Sequence, residues 1–383
     1  MPVRKRKRGP KACDSPTAGG CKHPTSSPAP PAGGEETRPT ILPLSTENLR
    51  EFERMTSTPP TPTASKPSTV TSKSISAREV RRRLSTYRIY ADKEDVFQPT
   101  SAIRIFSEGI VHGERNSPGL SNAEQTNIST ISCRMQDEAE ANVMDAIVPL
   151  LFPLPEIVFG RTNLAKNRDV EFLPNRVPTP STTANSILTL ALDAAGCLKN
   201  PKPDLCFGYP KSAFDDDSQR DFNDMFLNLT GLSRGIYHPF MIVEWKSSAT
   251  GGTQYDAQNQ AMRSGAALVS ARLDLFLRIN EIPPPPTETC VFSCTVDTYT
   301  ANIHIHWCEV DEASGARSFH MNTVSDVMLK RPDEVRRLRR EIENIMDWGL
   351  DVRLVKTKQV VALAGDLLTV RNEGAKKRKR VII

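Results

Sequence analysis

The sequence has 383 residues, a formal net charge of +5, 30 prolines and only 6% aromatic residues. No stretch approaches the roughly 18 to 20 consecutive apolar residues that span a bilayer, so we expect no membrane-spanning segment. The basic N-terminus lacks the apolar core of a secretory signal, and the eight cysteines are too scattered to suggest a disulfide framework. We therefore expect an intracellular protein with reduced thiols.

Charge is distributed unevenly along the chain. Residues 1–85 contain 16 basic and 7 acidic residues, residues 371–383 contain 6 and 1, and residues 86–370 contain 28 and 37. The two end segments therefore carry +9 and +5, and the central segment carries −9. Residues 1–85 are rich in Pro, Ser, Thr and Gly and bury too little apolar surface to offset their ordering entropy. We predict a disordered basic tail at 1–85, a folded domain at 86–370 and a second disordered basic tail at 371–383.

Two dense basic clusters, Arg4–Arg8 and Lys376–Arg380, lie within these tails. Clusters of this kind are typical of nuclear-import signals. They predict a nuclear protein whose partners include nuclear import receptors. The alternative is that both clusters are solvated or contact polyanions without specificity.

The helix predicted from Gln136 to Leu151 has an acidic residue on its apolar face. Val143 and Ile147 belong to that face, and Glu140 precedes them by three and seven residues, so its carboxylate points the same way. Glu138 lies on the opposite side. A carboxylate on a buried face needs a partner, which marks Glu140 as a candidate site residue. Alternatively, Glu140 is a solvated acid near a helix N-terminus, where the helix dipole favours it.

Two short apolar segments, Pro203–Gly208 and Phe240–Lys246, are rich in strand-forming residues and predict buried strands. Because side chains alternate along a strand, Glu244 and Lys246 point to the same side. If the two strands pair antiparallel, the start of the first lies beside the end of the second. Asp204 then comes next to Glu244 and Lys246, and two carboxylates and an ammonium share one patch at the sheet edge.

Such a patch suits divalent-metal chemistry. Mg²⁺ prefers hard oxygen ligands, keeps several waters and takes one or two carboxylates. The cation polarises a phosphoryl oxygen and helps to generate hydroxide from water, while Lys246 orients that water or offsets charge at phosphorus. The alternative is an ordinary strand that ends in an exposed glutamate and lysine.

The combination of Pro203-Asp204 with Glu244-Trp245-Lys246 resembles the PD-(D/E)XK nuclease-like superfamily, the fold of many restriction endonucleases. The Ser247–Gly252 stretch and the Gln258–Gln260 run are similar to a fungal branch of that superfamily whose function is largely undefined. The resemblance implies a nuclease-like fold and hydrolysis of nucleic-acid phosphodiester bonds.

The resemblance also implies roles for individual residues. Asp204 and Glu244 are expected to bind Mg²⁺ or Mn²⁺, and Lys246 is expected to position the attacking water. An acidic residue on the first core helix often completes the metal site in that superfamily. That role falls to Glu140, with Glu138 as the fallback.

The strongest predicted helix runs from Gln254 to Ile279, directly after the second of these strands. Its Gly265 is expected to allow close packing on the sheet, at a cost of about 1 kcal/mol relative to Ala. Near the start of the helix, Gln260 is expected to touch the substrate or the catalytic lysine. Plain polar surface is the alternative for Gln260.

The remaining pattern completes the sheet. Cys290–Val296 and Asn302–Val310 are predicted as adjacent strands, and Arg317–Asn322 as an added edge strand. Pro332–Trp348 is predicted as a helix that Gly349 ends, an order that fits helix-end preferences. An earlier helix is predicted from Ala77 to Tyr90.

Three potential zinc ligands, His304, His306 and Cys308, share one face of the strand predicted at 302–310. This spacing suits zinc, but no fourth ligand is evident in the sequence. We therefore expect ordinary strand packing for these side chains.

Together these elements predict an α/β fold in which a mixed β-sheet is flanked by helices, the restriction-endonuclease-like core. The predicted function is Mg²⁺-dependent hydrolysis of nucleic-acid phosphodiesters. The alternative is a catalytically inactive nuclear binding or scaffold module that retains the fold. The acidic central segment favours this alternative, because binding to a phosphate backbone relies on Lys and Arg. No oligomeric state is predicted.

Overall fold

The computed structural model describes residues 75–91, 100–115, 120–134, 137–152, 163–172, 198–214, 235–279 and 282–364, together with residues 178 and 233. These residues all belong to the second of the chain's two structural units, Lys73–Ile383. Both basic clusters, residues 1–74 and the predicted tail at 371–383 lie outside the described residues. The helix predicted from Ala77 is present and begins at that residue.

The described strands form one mixed sheet, which confirms the predicted α/β fold. Their order across the sheet is β1-β7-β6-β5-β4-β3-β2. The β1–β7 and β4–β5 pairs are parallel and the other neighbours are antiparallel. The strands are β1 (Ile89–Ala91), β2 (Ala165–Arg168), β3 (Leu205–Tyr209), β4 (Tyr237–Trp245), β5 (Val291–Val296), β6 (Thr300–Val310) and β7 (Arg317–Met328).

Helices cover both faces of this sheet. In chain order they are α1 (Ala77–Thr86), α2 (Ser101–Val111), α3 (Asn122–Arg134), α4 (Glu140–Leu151), α5 (Gln254–Ile279), α6 (Pro286–Thr289) and α7 (Pro332–Asp347). Alternate strand residues separate two apolar layers: Ile242 packs with α1 and α5, whereas Val243 packs with α2, α3, α4 and α7. None of the described helices is long and apolar enough to cross a bilayer.

Helix α5 has the bounds that the sequence predicts, and its Gly265 allows the close approach to the sheet that was expected. A Cβ atom built on Gly265 would lie 2.2 Å from Nδ1 of His306 on β6. No side chain fits in that space, so the imidazole occupies the position that a methyl group would otherwise take. The glycine therefore brings the centre of α5 directly onto β6.

The histidines of β6 pack within the sheet, as expected. His306 Nε2 lies 2.8 Å from Ser293 Oγ, and His304 Nε2 lies 2.8 Å from Thr295 Oγ1. Both imidazoles are buried, and burial lowers the pKa of His306 to about 3. These hydrogen bonds satisfy the two buried Nε2 atoms through hydroxyl groups on the neighbouring strand β5.

The prediction that Gly349 ends the last helix is wrong. The helix continues from α7 through a π-helical segment, Trp348–Arg353, and residues 354–364 remain helical. Gly349 serves close packing instead, because a Cβ at this position would lie 2.4 Å from the ring of Phe240. The Tyr209 hydroxyl donates a 2.6 Å hydrogen bond to the Gly349 carbonyl, one of the groups that the wider π turn reorients.

Neither edge strand of the sheet, β1 or β2, is among the strands predicted from the sequence. The helix predicted to reach Tyr90 ends at Thr86, and the chain then forms β1, which pairs with β7. As a result β7 is an internal strand and not an edge strand. At the opposite edge, β2 lies in a segment whose sequence, Ala-Lys-Asn-Arg, lacks the apolar alternation that predicts strands.

Candidate functional site

The two strands predicted at Pro203–Gly208 and Phe240–Lys246 pair antiparallel, as the sequence predicts. β3 and β4 are antiparallel, and Leu205 lies opposite Val243, so Asp204 comes beside the end of β4. The backbone N–H of Trp245 donates a hydrogen bond of 2.5 Å to Asp204 Oδ2. This bond fixes the Asp204 carboxyl across the ends of both strands.

Glu244 lies inside the protein with one carboxyl oxygen unpaired. Its side chain is only 1% exposed, on the face of β4 that α5 covers. Ser264 Oγ on α5 donates a 2.7 Å hydrogen bond to Glu244 Oε1, and Oε2 has no hydrogen-bond partner among the described residues. Burial, and then the neighbouring Asp204, raise the pKa of Glu244 to about 8. An unpaired carboxyl oxygen at this depth is costly unless the group is protonated or meets a cation.

The pKa of Asp204 is also shifted by burial and by its charged neighbours. Burial raises its pKa to about 6, and Glu140 and Asp169 act in the same direction. The ammonium of Lys246 and the hydrogen bond from Trp245 oppose this rise. The charge of Asp204 is therefore coupled to both Lys246 and Glu140, which places these groups in one electrostatic cluster.

Lys246 reaches the cluster from the end of β4. Its Nζ lies 3.2 Å from Glu140 Oε1 and 3.4 Å from Oε2, and it also donates to the Trp245 carbonyl. The alkyl stem passes over Gly252, where a Cβ would lie 3.0 Å from Lys246 Cδ. The ammonium thus binds a carboxylate of α4, whereas Glu244 hydrogen bonds to α5. The site lies where the sheet ends and both helical layers approach the strands.

Of the two acidic candidates near the start of α4, Glu140 is the one that contacts the site. It is the first residue of the helix and forms the ion pair with Lys246. Glu138 is exposed and accepts a hydrogen bond from Asn142 instead. The Glu138 backbone carbonyl accepts a 2.8 Å hydrogen bond from Ser247 Oγ, which ties the loop after β4 to the start of α4.

Gln260 lies half-buried on α5, one helical turn before Ser264. The described contact between α5 and Glu244 comes from Ser264, which the sequence analysis did not select. Gln258 and Asn259, which precede Gln260 on α5, contact Arg81 of α1. A polar residue at position 264 within an apolar helix face was the available signal.

Gln254 and Thr295 also support the site, and sequence reasoning missed both. Gln254 Nε2 donates to Thr295 Oγ1 at 2.9 Å and to the Thr295 carbonyl at 3.1 Å. Thr295 lies opposite Glu244 in the parallel β4–β5 pair. These bonds fix the first turn of α5 to the end of β5, next to the end of β4 that carries Glu244.

The structure brings together two of the three predicted metal ligands. Asp204 and Glu244 are electrostatic neighbours, whereas Glu140 is engaged by Lys246. Within the described ranges, no three His, Cys, Asp or Glu side chains form a group that could hold a metal ion. Mg²⁺ needs only one or two carboxylates, because waters complete its shell. The unpaired Glu244 oxygen beside a second carboxyl therefore fits a small divalent cation.

Fold and site together define an α/β protein with a partly buried carboxylate–lysine cluster at the end of two antiparallel strands. Residues 127–361 match the family model described as a domain of unknown function, DUF7924. This match covers more than half of the chain, and the protein belongs to that family. No curated protein matches the chain.

Proposed function

We propose that this protein is a metal-dependent nuclease of the PD-(D/E)XK nuclease-like superfamily that hydrolyses nucleic-acid phosphodiester bonds. The observation that carries the proposal is the convergence of Asp204, Glu244 and Lys246, distant in sequence, at the end of the β3–β4 pair. Two carboxyls with raised pKa values beside a lysine suit hydrolysis at phosphorus better than they suit a structural ion pair.

In this proposal each residue has a distinct task. Asp204 and Glu244 hold Mg²⁺ or Mn²⁺, and Ser264 keeps Glu244 turned so that Oε2 faces the cation. A bound divalent cation supplies polarisation of a phosphoryl oxygen. Lys246 orients the attacking water, and Glu140 holds the ammonium of Lys246 in place through their 3.2 Å contact.

Cleavage assays on the full chain test the proposal. We expect cleavage of plasmid DNA, single-stranded DNA or RNA with Mg²⁺ or Mn²⁺ and none in EDTA. Asp204→Asn and Lys246→Met should each lower the rate about a hundredfold, the lower range for a positioned acid–base group. Lys202→Met is the matched control, because Lys202 is an exposed lysine that pairs with Asp169. Its rate should stay within about twofold of wild type.

The second candidate is an inactive nuclear binding module. It is favoured by the Lys246–Glu140 ion pair, which occupies the ammonium, and by the acidic charge of residues 86–370. Absence of cleavage on every substrate, together with no calorimetric signal for Mg²⁺ or Mn²⁺, would establish this candidate. Cleavage that persists unchanged in both site variants would instead exclude the assigned residues.

We further propose that Arg4–Arg8 and Lys376–Arg380 direct the protein to the nucleus through import receptors. Replacing both clusters by alanine should lower the nuclear-to-cytoplasmic ratio of a fluorescent fusion. A control that exchanges Lys and Arg within each cluster keeps the charge and should keep the ratio. An unchanged ratio in the alanine variant would remove this assignment.

A further inference from the structure

Helix α1 lies at the end of the basic segment 1–85, carries an uncompensated positive charge and packs against α5 of the acidic segment 86–370. Residues 77–88 contain five arginines and one acidic residue, Glu79. Helix α7 is also rich in arginine, but its four arginines lie among five acidic residues. Glu79 binds both Arg82 and Arg83, so a single carboxylate serves two guanidinium groups. The excess charge is therefore a property of α1 and not of every arginine-rich helix in the protein.

Arg81 anchors α1 to the first half of α5. Its guanidinium donates to Asn259 Oδ1 at 2.5 Å and to Gln258 Oε1 at 3.3 Å, and it lies 4.3 Å over the ring of Tyr255. Asn259 in turn donates a 2.8 Å hydrogen bond to the Ala77 carbonyl. These contacts of Arg81 and Asn259 hold α1 in a fixed position on α5.

That position is close to the candidate site. Tyr255, Gln258 and Asn259 lie between Gln254, which binds β5 beside Glu244, and Ser264, which binds Glu244 itself. At about 1.5 Å per residue, this part of α5 is roughly 15 Å long. Helix α1 therefore lies along the same stretch of α5 that borders the site.

Helix α1 exposes two arginines to solvent, and the start of α5, which contacts α1, exposes an aromatic ring. Arg78 and Arg82 are four residues apart, so they share one face of the helix, and the Arg82 side chain is 73% exposed. Tyr255, at the start of α5, is 39% exposed and contacts α1 through Arg81, which follows Arg78 by three residues and precedes Arg82. Basic residues next to an exposed aromatic ring are the combination by which proteins hold a phosphate backbone and stack bases.

We propose that Arg78, Arg82 and Tyr255, here called the α1 basic surface, hold the backbone of the nucleic acid whose phosphodiester enters the Asp204–Glu244–Lys246 site. The inference rests on the proposed nuclease function and adds to it the surface that positions the substrate. An acidic protein is the competing partner, because it would meet the same charges. The arginine–tyrosine combination favours nucleic acid, since Tyr255 is 39% exposed and the ring face opposite Arg81 can stack on a base.

The test compares two charge-matched double variants of the full chain. Arg78→Gln with Arg82→Gln alters the α1 basic surface, and Arg336→Gln with Arg340→Gln removes two exposed arginines at the same spacing from α7 in the opposite layer. Both are made in an Asp204→Asn background and measured in EDTA, so the probe stays intact. The probe is a short fluorescein-labelled DNA duplex, titrated between about 50 and 200 mM KCl. The basic tails are the same in every variant and cancel from the comparison.

We expect the α1 variant to bind about tenfold more weakly at low salt. The slope of log affinity against log salt should become shallower by about 2, close to 0.9 per lost phosphate contact. The α7 variant should stay within about twofold of the parent. Tyr255→Ala should weaken binding without changing the slope, because stacking carries no charge.

Three results would overturn the inference: equal loss in the α1 and α7 variants, no loss in either, or a matching loss of affinity for polyglutamate. Circular dichroism on each variant separates lost folding from lost contact. Binding and cleavage are measured separately, so the two proposals fail in different ways. If the wild type cleaves DNA and the α1 variant binds DNA as tightly as its parent, only the role of the α1 basic surface is refuted. If the wild type does not cleave DNA and the α1 variant binds more weakly, only the nuclease function is refuted.

Discussion

Replacing Glu244 by glutamine is expected to stabilise the metal-free protein by on the order of 4 kcal/mol at pH 8 and above, with no gain near pH 4. In the unfolded chain the Glu244 carboxyl ionises around its ordinary pKa of 4.5, whereas burial raises that pKa to about 8 in the folded protein. Wild-type stability therefore falls as pH rises from about 4.5 to about 8, and then levels off. Each pKa unit corresponds to about 1.36 kcal/mol. Glutamine keeps the acceptor for Ser264 without the charge.

Urea unfolding in EDTA across this pH range measures the effect. Glu138→Gln is the control, because Glu138 is exposed, and its effect should stay below about 0.5 kcal/mol. Ser264→Ala should move the upper limit of the pH window higher, since it removes a hydrogen bond that lowers the Glu244 pKa. A wild-type–Gln difference that does not vary with pH would show that the carboxyl is solvated.

The same unfolding experiment can be repeated with Mg²⁺ in place of EDTA. A cation that binds the ionised Asp204–Glu244 pair stabilises the folded state by about 2.7 kcal/mol when its concentration is a hundred times Kd. Mg²⁺ at that concentration should therefore recover about 2.7 kcal/mol of wild-type stability at pH 8 and leave Glu244→Gln unchanged. Equal stabilisation of both proteins would place the bound Mg²⁺ elsewhere.

The sequence was most informative where one physical requirement dominated. The apolar runs around Asp204 and Glu244 predict two buried strands, and antiparallel pairing then brings these carboxyls together with no further information. The pattern of α5 likewise predicts its bounds, because apolar residues recur at helical spacing along its whole length. The two strands and the bounds of α5 depend on local sequence alone, whereas the antiparallel pairing was an assumption that the structure supplies.

The sequence failed where tertiary packing decides. Gly349 has the position of a helix stop, yet the helix continues because the ring of Phe240 needs the space that a side chain would fill. Ser264 resembles other small residues of α5, and only the register between helix and β4 brings it to Glu244. Lys246 was expected to share one patch with Asp204 and Glu244. Its ion pair with Glu140 was not predicted, because that contact depends on how the start of α4 packs at the end of the sheet.

The contact between α5 and β6 leads to the second large effect: Gly265→Ala is expected to destabilise the protein by about 3 kcal/mol. Alanine improves helix propensity by about 1 kcal/mol, but its Cβ would lie 2.2 to 2.5 Å from three ring atoms of His306. The His306 ring is buried and hydrogen bonded to Ser293. Moving the ring away from the added methyl group strains the core and disrupts that hydrogen bond, and both effects destabilise the folded state.

Gly109→Ala is the matched control, a helical glycine in α2 with nothing within 4 Å of the added Cβ. It should gain up to about 1 kcal/mol, so the same chemical change is expected to have opposite signs in the two helices. Adding His306→Ala to Gly265→Ala removes the clashing ring, and the double variant should be less destabilised than the sum of the two single changes. Denaturant unfolding of the four variants measures this coupling. If the destabilisation of the double variant equals the sum of the two single changes, α5 and β6 can move apart without strain. Gly265 would then not determine the distance between helix and sheet.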